Sequence, residues 1–207
     1  MNLPIPRLYA IIDPAQVEGR SAAGVGEILL AAGVRLIQLR HKRASSRELY
    51  ESSLQVAERV RRWGGIFLVN DRADVARAVD ADGVHVGQED MPVELARRLL
   101  GPRKWVGYST HVLDQVIEAD RSSADYIAFG PVFPTQSKEK PDPVVGLEGL
   151  RAARKATRKP LVAIGGITVQ NAHAMIEAGA DSVAVIRDLL KAPDIGKRAE
   201  EFLKVLG

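Results

Sequence analysis

Cysteine is absent from the 207-residue sequence, which removes a disulfide framework, a thiolate metal site and a cysteine nucleophile at one stroke. A reducing, cytoplasmic setting fits that composition. Long apolar runs are missing as well: the first residues hold only the short stretch 8–12, far below a signal-peptide core or a membrane span, and no later segment approaches one. The expectation is a soluble, non-exported chain with no membrane partner. Nor is there a concentrated basic block. The net charge is +3, with lysine and arginine interspersed among acids, and the densest basic run, 151–159, reads as the solvated outer face of an amphipathic helix. No nucleic-acid-binding motif accompanies it, so no nucleic-acid partner is expected, and small anionic substrates account for the charge equally well.

What is present is ordinary globular material, 46% apolar and 27% charged, enough for one substantial core and one domain over 1–207. Short β-branched apolar runs alternate with helical patterns, the signature of parallel βαβ units rather than hairpins. Strands are predicted at 8–12, 35–39, 66–69, 83–86, 105–108, 126–129, 161–164 and 182–186, each followed by a helix. After the second strand, Leu49, Val56, Ala57, Val60 and Trp63 fall on one helical stripe, and Ser45 with Glu48 has capping-box spacing at its start. Gly33 and Gly179 follow apolar-periodic segments, where a left-handed closing residue is needed. Ala81-Asp82, Ala124-Asp125 and Ala180-Asp181 precede strands at irregular spacing, which indicates shared junction chemistry rather than a solenoid repeat. The pattern specifies the α/β class and a single-domain (β/α)8 TIM barrel at the small end of its size range. A doubly wound open sheet would carry a glycine-rich fingerprint after its first strand, and Ile12-Asp13-Pro14-Ala15 is not one.

Polar residues and glycines cluster just past the predicted C-terminal strand ends, the rim where barrel enzymes keep their active sites. After strand two, alternation along Gln38-Leu39-Arg40-His41-Lys42 points Gln38, Arg40 and Lys42 to one side, so two cations converge as if on an anion. After strands three and four come Asn70-Asp71 and His85-Val86-Gly87-Gln88-Glu89-Asp90. The carboxylates Asp71 and Asp90 can meet around a hard cation such as Mg²⁺, or cap the helices that follow. With no HExxH-like spacing beside it, His85 reads as an inward hydrogen-bonding histidine rather than a metal ligand. Ser109 lies outside any G-x-S-x-G pattern and is either an orienting hydroxyl or a helix cap, while spacing assigns His111 no role. The long irregular segment 131–146 carries Thr135, Ser137 and Lys138, an anion-friendly group on a proline-stiffened loop. Ile164-Gly165-Gly166-Ile167-Thr168, with Ile186 and Arg187 after strand eight, occupies the usual phosphate position of barrels, where paired glycines let backbone N–H groups approach an anion.

One phosphate grip would serve an isomerase. A separate cluster of metal, Arg40, Lys42 and Lys138 is what a departing diphosphate requires, so the pattern favours a two-substrate transferase. The motifs Gln38-x-Arg40-x-Lys42, Asn70-Asp71, Gly83-Val84-His85-x-Gly87-Gln88-x-Asp90, Gly107-x-Ser109-x-His111, the run from Phe129 to Lys138 and Ala163-Ile164-Gly165-Gly166-Ile167 together resemble the thiamine phosphate synthase family, from Leu8 to about Leu190. The resemblance implies condensation of a hydroxymethylpyrimidine diphosphate with a hydroxyethylthiazole phosphate, giving thiamine monophosphate and diphosphate. It also implies that Arg40, Lys42, Asn70 and Lys138 hold the pyrimidine diphosphate, with Gln38 and Ser109 near the pyrimidine and Asp71 and Asp90 on Mg²⁺. Thr135, Ser137, Gly166, Ile186 and Arg187 would then face the thiazole phosphate. Three residues depart from the family pattern: His41 stands where Glu is commoner, Ser137 where Thr is, and Arg187 where Ser is. A related thiazole tautomerase branch usually has histidine at the position of Pro131, and a non-catalytic thiazole-phosphate-binding paralogue is the alternative from another class. Homo-oligomerisation is left open by the sequence.

Overall fold

The computed structural model describes residues 5–17, 19–135 and 142–207. Eight parallel strands close into a barrel in sequence order. They are β1 (Leu8–Ile12), β2 (Leu36–Leu39), β3 (Ile66–Asn70), β4 (Gly83–Val86), β5 (Trp105–Thr110), β6 (Tyr126–Phe129), β7 (Leu161–Ile164) and β8 (Ser182–Val185). Closure comes from β1 pairing with β8, where Tyr9 lies opposite Ala184. Around the barrel run α1 (Ala22–Ala31), α2 (Ser46–Arg62), α3 (Ala73–Ala78), α4 (Val93–Leu100), α5 (Leu113–Arg121), α6 (Gly146–Ala156) and α7 (Val169–Glu177), followed by the short α8 (Arg187–Leu190) and α9 (Ile195–Leu206). No helix among the described residues is long and apolar enough to cross a membrane.

Strand alternation divides the core in two. Tyr9, Ile11, Leu36, Leu68, Tyr126, Ala128, Val162 and Ala184 fill the barrel interior, while their neighbours, such as Leu8, Ala10 and Ile12, pack outward under the helices. The interior has one notable clearance: a Cβ on Gly107 would stand 2.0 Å from Cζ of Tyr126, so β5 leaves out a side chain where β6 sends a ring across.

The strands lie where they are expected, with small shifts at their ends: β2 starts at Leu36, β5 runs on to Thr110 and β8 stops at Val185. Ser45 and Glu48 form the expected capping box on α2, and Gly33 and Gly179 adopt φ of 101° and 102° at their helix ends. Leu49, Val56, Ala57 and Val60 are buried as the stripe requires, but Trp63 is not. It follows the last residue of α2 and is 40% exposed, because past the helix end the 3.6-residue period no longer sets its direction. There its indole N–H donates to Glu27 Oε1 at 2.9 Å.

The three Ala-Asp junctions share one geometry at the N-terminal end of the barrel. Asp82, Asp125 and Asp181 each accept a hydrogen bond through Oδ2 from the start of the preceding strand, at Phe67 N (2.8 Å), Val106 N (2.7 Å) and Leu161 N (2.7 Å). Their own backbone N–H groups return a bond to the carbonyls of the same residues, at 2.9, 2.8 and 2.8 Å. Each aspartate thus latches its own strand to the one before it, joining β3 to β4, β5 to β6 and β7 to β8.

Candidate active site

Because the strands are parallel, every residue just past a strand end lies on the same rim. That rim gathers Gln38, Arg40 and Lys42 from β2, Asn70 and Asp71 from β3, His85 and Asp90 from β4 and Ser109 from β5. Thr135 follows β6, Gly166 follows β7, and Ile186 and Arg187 follow β8. Ser137 and Lys138 fall outside the described residues.

The charges are paired in sequence around the rim. Arg40 Nη1 reaches Asp13 Oδ2 at 2.5 Å, and Lys42 Nζ contacts Asp71 Oδ2. The two cations therefore do not converge on one point in this structure, as strand alternation had implied: β2 ends at Leu39, a turn follows, and Lys42 swings toward β3 while Arg40 leans toward β1. Burial above all pushes the Asp71 pKa up to about 6, with Lys42 pulling the other way and the neighbouring Asp90 carboxyl adding to the rise. Asp71 is one of only two non-glycine residues with positive φ among those described, at 63°, the other being Asp80 at the opposite end of the barrel, and aspartate tolerates this region better than most side chains.

Neither Asp71 nor Asp90 caps a helix. The residues preceding α3 and α4 are Arg72 and Pro92, with no side-chain cap, and Asp90 Oδ2 instead accepts from Gly87 N at 2.7 Å, folding the loop after β4 back on itself. Ser109 is not a cap either, since α5 starts after Val112. Its hydroxyl lies 2.8 Å from Nε2 of His85, whose Nδ1 is 2.8 Å from the Tyr126 hydroxyl. His85 is thus the inward hydrogen-bonding histidine expected. Gln38, only 2% exposed, donates through Nε2 to the Tyr9 hydroxyl at 2.5 Å. Burial raises both phenols above the ordinary tyrosine range, so both keep their protons. His111 gains a role that spacing had not supplied: its Nδ1 lies 2.6 Å from the carbonyl of Gly130 and tethers the loop after β6 to the end of β5.

That loop continues the barrel ladder. Val132 N donates to Ile164 O at 2.9 Å and Phe133 N to Gly165 O at 3.0 Å. Gly165 and Gly166 have φ of 98° and 65°, and a Cβ on them would strike Pro131 Cβ at 2.4 Å and Phe133 Cβ at 2.6 Å. The pair is therefore glycine first because backbone direction and the pressed-in loop demand it. Asn171 holds the Gly166 carbonyl at 3.0 Å and completes the capping box of α7.

Two features escaped the sequence reading. Asp13 is 4% exposed and anchors Arg40; its signal was its place directly after β1, the same rim position that marks the other candidates. Tyr9 and Tyr126 are fully buried polar aromatics inside the barrel, and only their inward register could have marked them. A cavity of about 650 Å³ opens at the opposite end, lined among others by Asp80, Asp82, Arg98 and Arg103, where barrels keep stability rather than chemistry.

A family model for thiamine monophosphate synthase matches residues 8–189. The chain is 49% identical to the thiamine-phosphate synthase of Koribacter versatilis, over 99% of this chain and 98% of that protein. It is 46% identical to the thiamine-phosphate synthase of Chloroflexus aurantiacus, over 95% and 90%. Among solved structures, the thiamine phosphate pyrophosphorylase from Pyrococcus furiosus matches with a TM-score of 0.87 at 38% identity, covering 97% of this chain and 95% of that one.

Proposed function

The chain belongs to the thiamine monophosphate synthase family, and from that premise we propose that it joins 4-amino-2-methyl-5-hydroxymethylpyrimidine diphosphate to hydroxyethylthiazole phosphate, releasing diphosphate and thiamine monophosphate. The observation that carries this reading is the charge cluster at neighbouring strand ends, in which Arg40, Lys42, Asp71 and Asp90 stand on one rim with the Asp90 carboxyl near enough to raise the pKa of Asp71. A phosphate isomerase needs no such second cluster.

Mg²⁺ fits the donor set. Asp71 and Asp90 offer hard oxygens, a cation between them would relieve their mutual repulsion, and Mg²⁺ typically takes one or two protein carboxylates with water and phosphate oxygens as the rest of its shell. When bound, Mg²⁺ supplies positive charge against the diphosphate.

The C–O bond between the pyrimidine methylene and the diphosphate breaks, and its electron pair leaves with the diphosphate. The lone pair of the thiazole nitrogen then forms the new C–N bond. The aminopyrimidine ring delocalises the cation that develops, and the attacking nitrogen carries no proton to remove, so neither a nucleophilic side chain nor a general base is required. Arg40 and Lys42 neutralise the charge growing on the leaving group, an interaction stronger in the transition state than in the ground state. By family resemblance Lys138 and Asn70 assist them. Asp13 holds the Arg40 guanidinium in place before substrate arrives. Gln38 and Ser109 orient the pyrimidine, while Thr135, Ser137, Gly166, Ile186 and Arg187 receive the thiazole phosphate. The test is direct: purified protein is mixed with both phosphorylated halves and Mg²⁺, and thiamine monophosphate is sought. Absence of product from authentic substrates refutes the reading.

A further inference from the structure

The mechanism leaves unused the two fully buried phenols beneath the rim. They belong to an unbroken hydrogen-bonded run: Gln38 Nε2 to the Tyr9 hydroxyl at 2.5 Å, Tyr9 to Tyr126 at 2.9 Å, Tyr126 to His85 Nδ1 at 2.8 Å, and His85 Nε2 to Ser109 Oγ at 2.8 Å. Five strands contribute one side chain each, and both ends of the run are residues assigned to the pyrimidine.

Proton accounting gives the run a direction. A phenol has one proton to donate, and among the described residues the Tyr9 hydroxyl has only Gln38 and Tyr126 as partners. Gln38 donates to it, so Tyr9 must donate to Tyr126. The reverse would strand a buried O–H, at a cost of about 1–3 kcal/mol. Tyr126, now accepting from Tyr9, donates to His85 Nδ1. A neutral imidazole that accepts at Nδ1 carries its proton on Nε2 and donates it to Ser109. The Ser109 hydroxyl is then left to donate to a ligand, and Gln38 Oε1 to accept from one.

We propose that the Gln38–Tyr9–Tyr126–His85–Ser109 run is a one-way relay that fixes the donor and acceptor pattern offered to the substrate, with Tyr9 and Tyr126 as positioning residues. An acceptor at Gln38 and a donor at Ser109 complement an aminopyrimidine, which presents an exocyclic N–H beside a ring nitrogen lone pair. This functional half rests on the reading that Gln38 and Ser109 face the pyrimidine; the direction of the relay does not.

The direction is read by NMR on ¹⁵N-histidine-labelled full-length chain without substrate, the chain having only four histidines and the His85 signals being identified by their loss in His85→Gln. The parent protein should show His85 as the Nε2–H tautomer. Gln38→Glu, measured at pH 8, places an acceptor at the far end, reverses every bond and should convert His85 to the Nδ1–H tautomer. In a Tyr9→Phe background the same change at position 38 should leave the tautomer where Tyr9→Phe alone puts it. An Nδ1–H parent, or one tautomer common to the parent and Gln38→Glu, overturns the relay. For the positioning role, Tyr9→Phe should raise KM for the pyrimidine diphosphate about threefold to tenfold, the worth of one hydrogen bond, with KM for the thiazole phosphate within about twofold. Equal effects on both KM values, or none on either, make the tyrosines merely structural. A parent chain that makes no thiamine monophosphate would refute the proposed reaction and leave the tautomer measurement standing, so the two failures are told apart.

Discussion

Gly107→Ala should be among the most damaging single-methyl changes in the molecule. The added carbon would lie 2.0 Å from Cζ, 2.2 Å from the hydroxyl oxygen and 2.5 Å from Cε1 of Tyr126, whereas carbon atoms in packed interiors rest about 3.5–4.0 Å apart. The ring tip must retreat by about 1.5 Å to restore ordinary contact. It has nowhere to go: the rings of Tyr9, His85 and Trp105 surround it at centroid distances of 6.1, 5.6 and 6.3 Å. Any retreat breaks the bond to His85 or the one to Tyr9. Overpacking costs about 1–3 kcal/mol and an orphaned buried hydroxyl a similar amount, so the loss should be about 4 kcal/mol. At roughly 3 °C per kcal/mol for a chain of this length, the thermal midpoint should fall by about 12 °C. Thermal unfolding followed by circular dichroism measures it, with Tyr126→Leu as the second arm of a double-mutant cycle. Once the ring is gone, the same methyl should cost less than about 1 kcal/mol, since alanine is otherwise at least as suited to a strand as glycine. A midpoint within 2 °C of the parent, or an equal penalty in both backgrounds, refutes the reasoning.

Arg40→Ala and Asp90→Ala should each lower turnover on the order of a hundredfold or more, measured at a temperature where circular dichroism shows the variant folded, as lost transition-state charge contacts do; near-normal rates in both rule out the diphosphate and metal assignment. Chelation of divalent cations should abolish product formation, and added Mg²⁺ should restore it; activity that persists in excess chelator excludes the role given to Asp71 and Asp90. Asp125→Ala should cost at least about 2 kcal/mol by stranding both the Val106 N–H and the Arg97 guanidinium that share its carboxylate, and its kcat/KM at a temperature where it stays folded should match the parent's; a matching loss of activity would show that the two ends of the barrel are not independent.

The strands were legible because each is a short β-branched run between helical patterns, and parallel pairing then dictates which ends share a rim. The rim residues were legible for the same reason, since a polar side chain just past a buried strand has few purposes. Partnerships were not. Nothing in the run 38–42 reveals that Arg40 turns to Asp13 and Lys42 to Asp71, because the turn after Leu39 is set by neighbours distant in sequence. Trp63 shows the converse error: a periodic stripe was extended one residue past the helix that justified it. Asp13 was marked only by its place after β1, and the two tyrosines were invisible because their significance lies in contacts across the barrel, 117 positions apart for Tyr9 and Tyr126. The role of Gly165 and Gly166 was legible only in half. A glycine pair signals an unusual backbone, but whether space is left for a ligand or for a neighbouring loop is a tertiary matter.

The aspartate latches have a bearing on how such a protein can change. Three of the eight strand pairings are braced from below, by side chains on the end of the barrel away from the proposed site, and each latch binds its own strand to the one before it. The loops above add bonds of their own, such as Val132 N to Ile164 O, but the latches do not depend on them. A lineage, or an engineer, can therefore redraw the upper loops for a different phosphorylated compound and leave the foundations untouched.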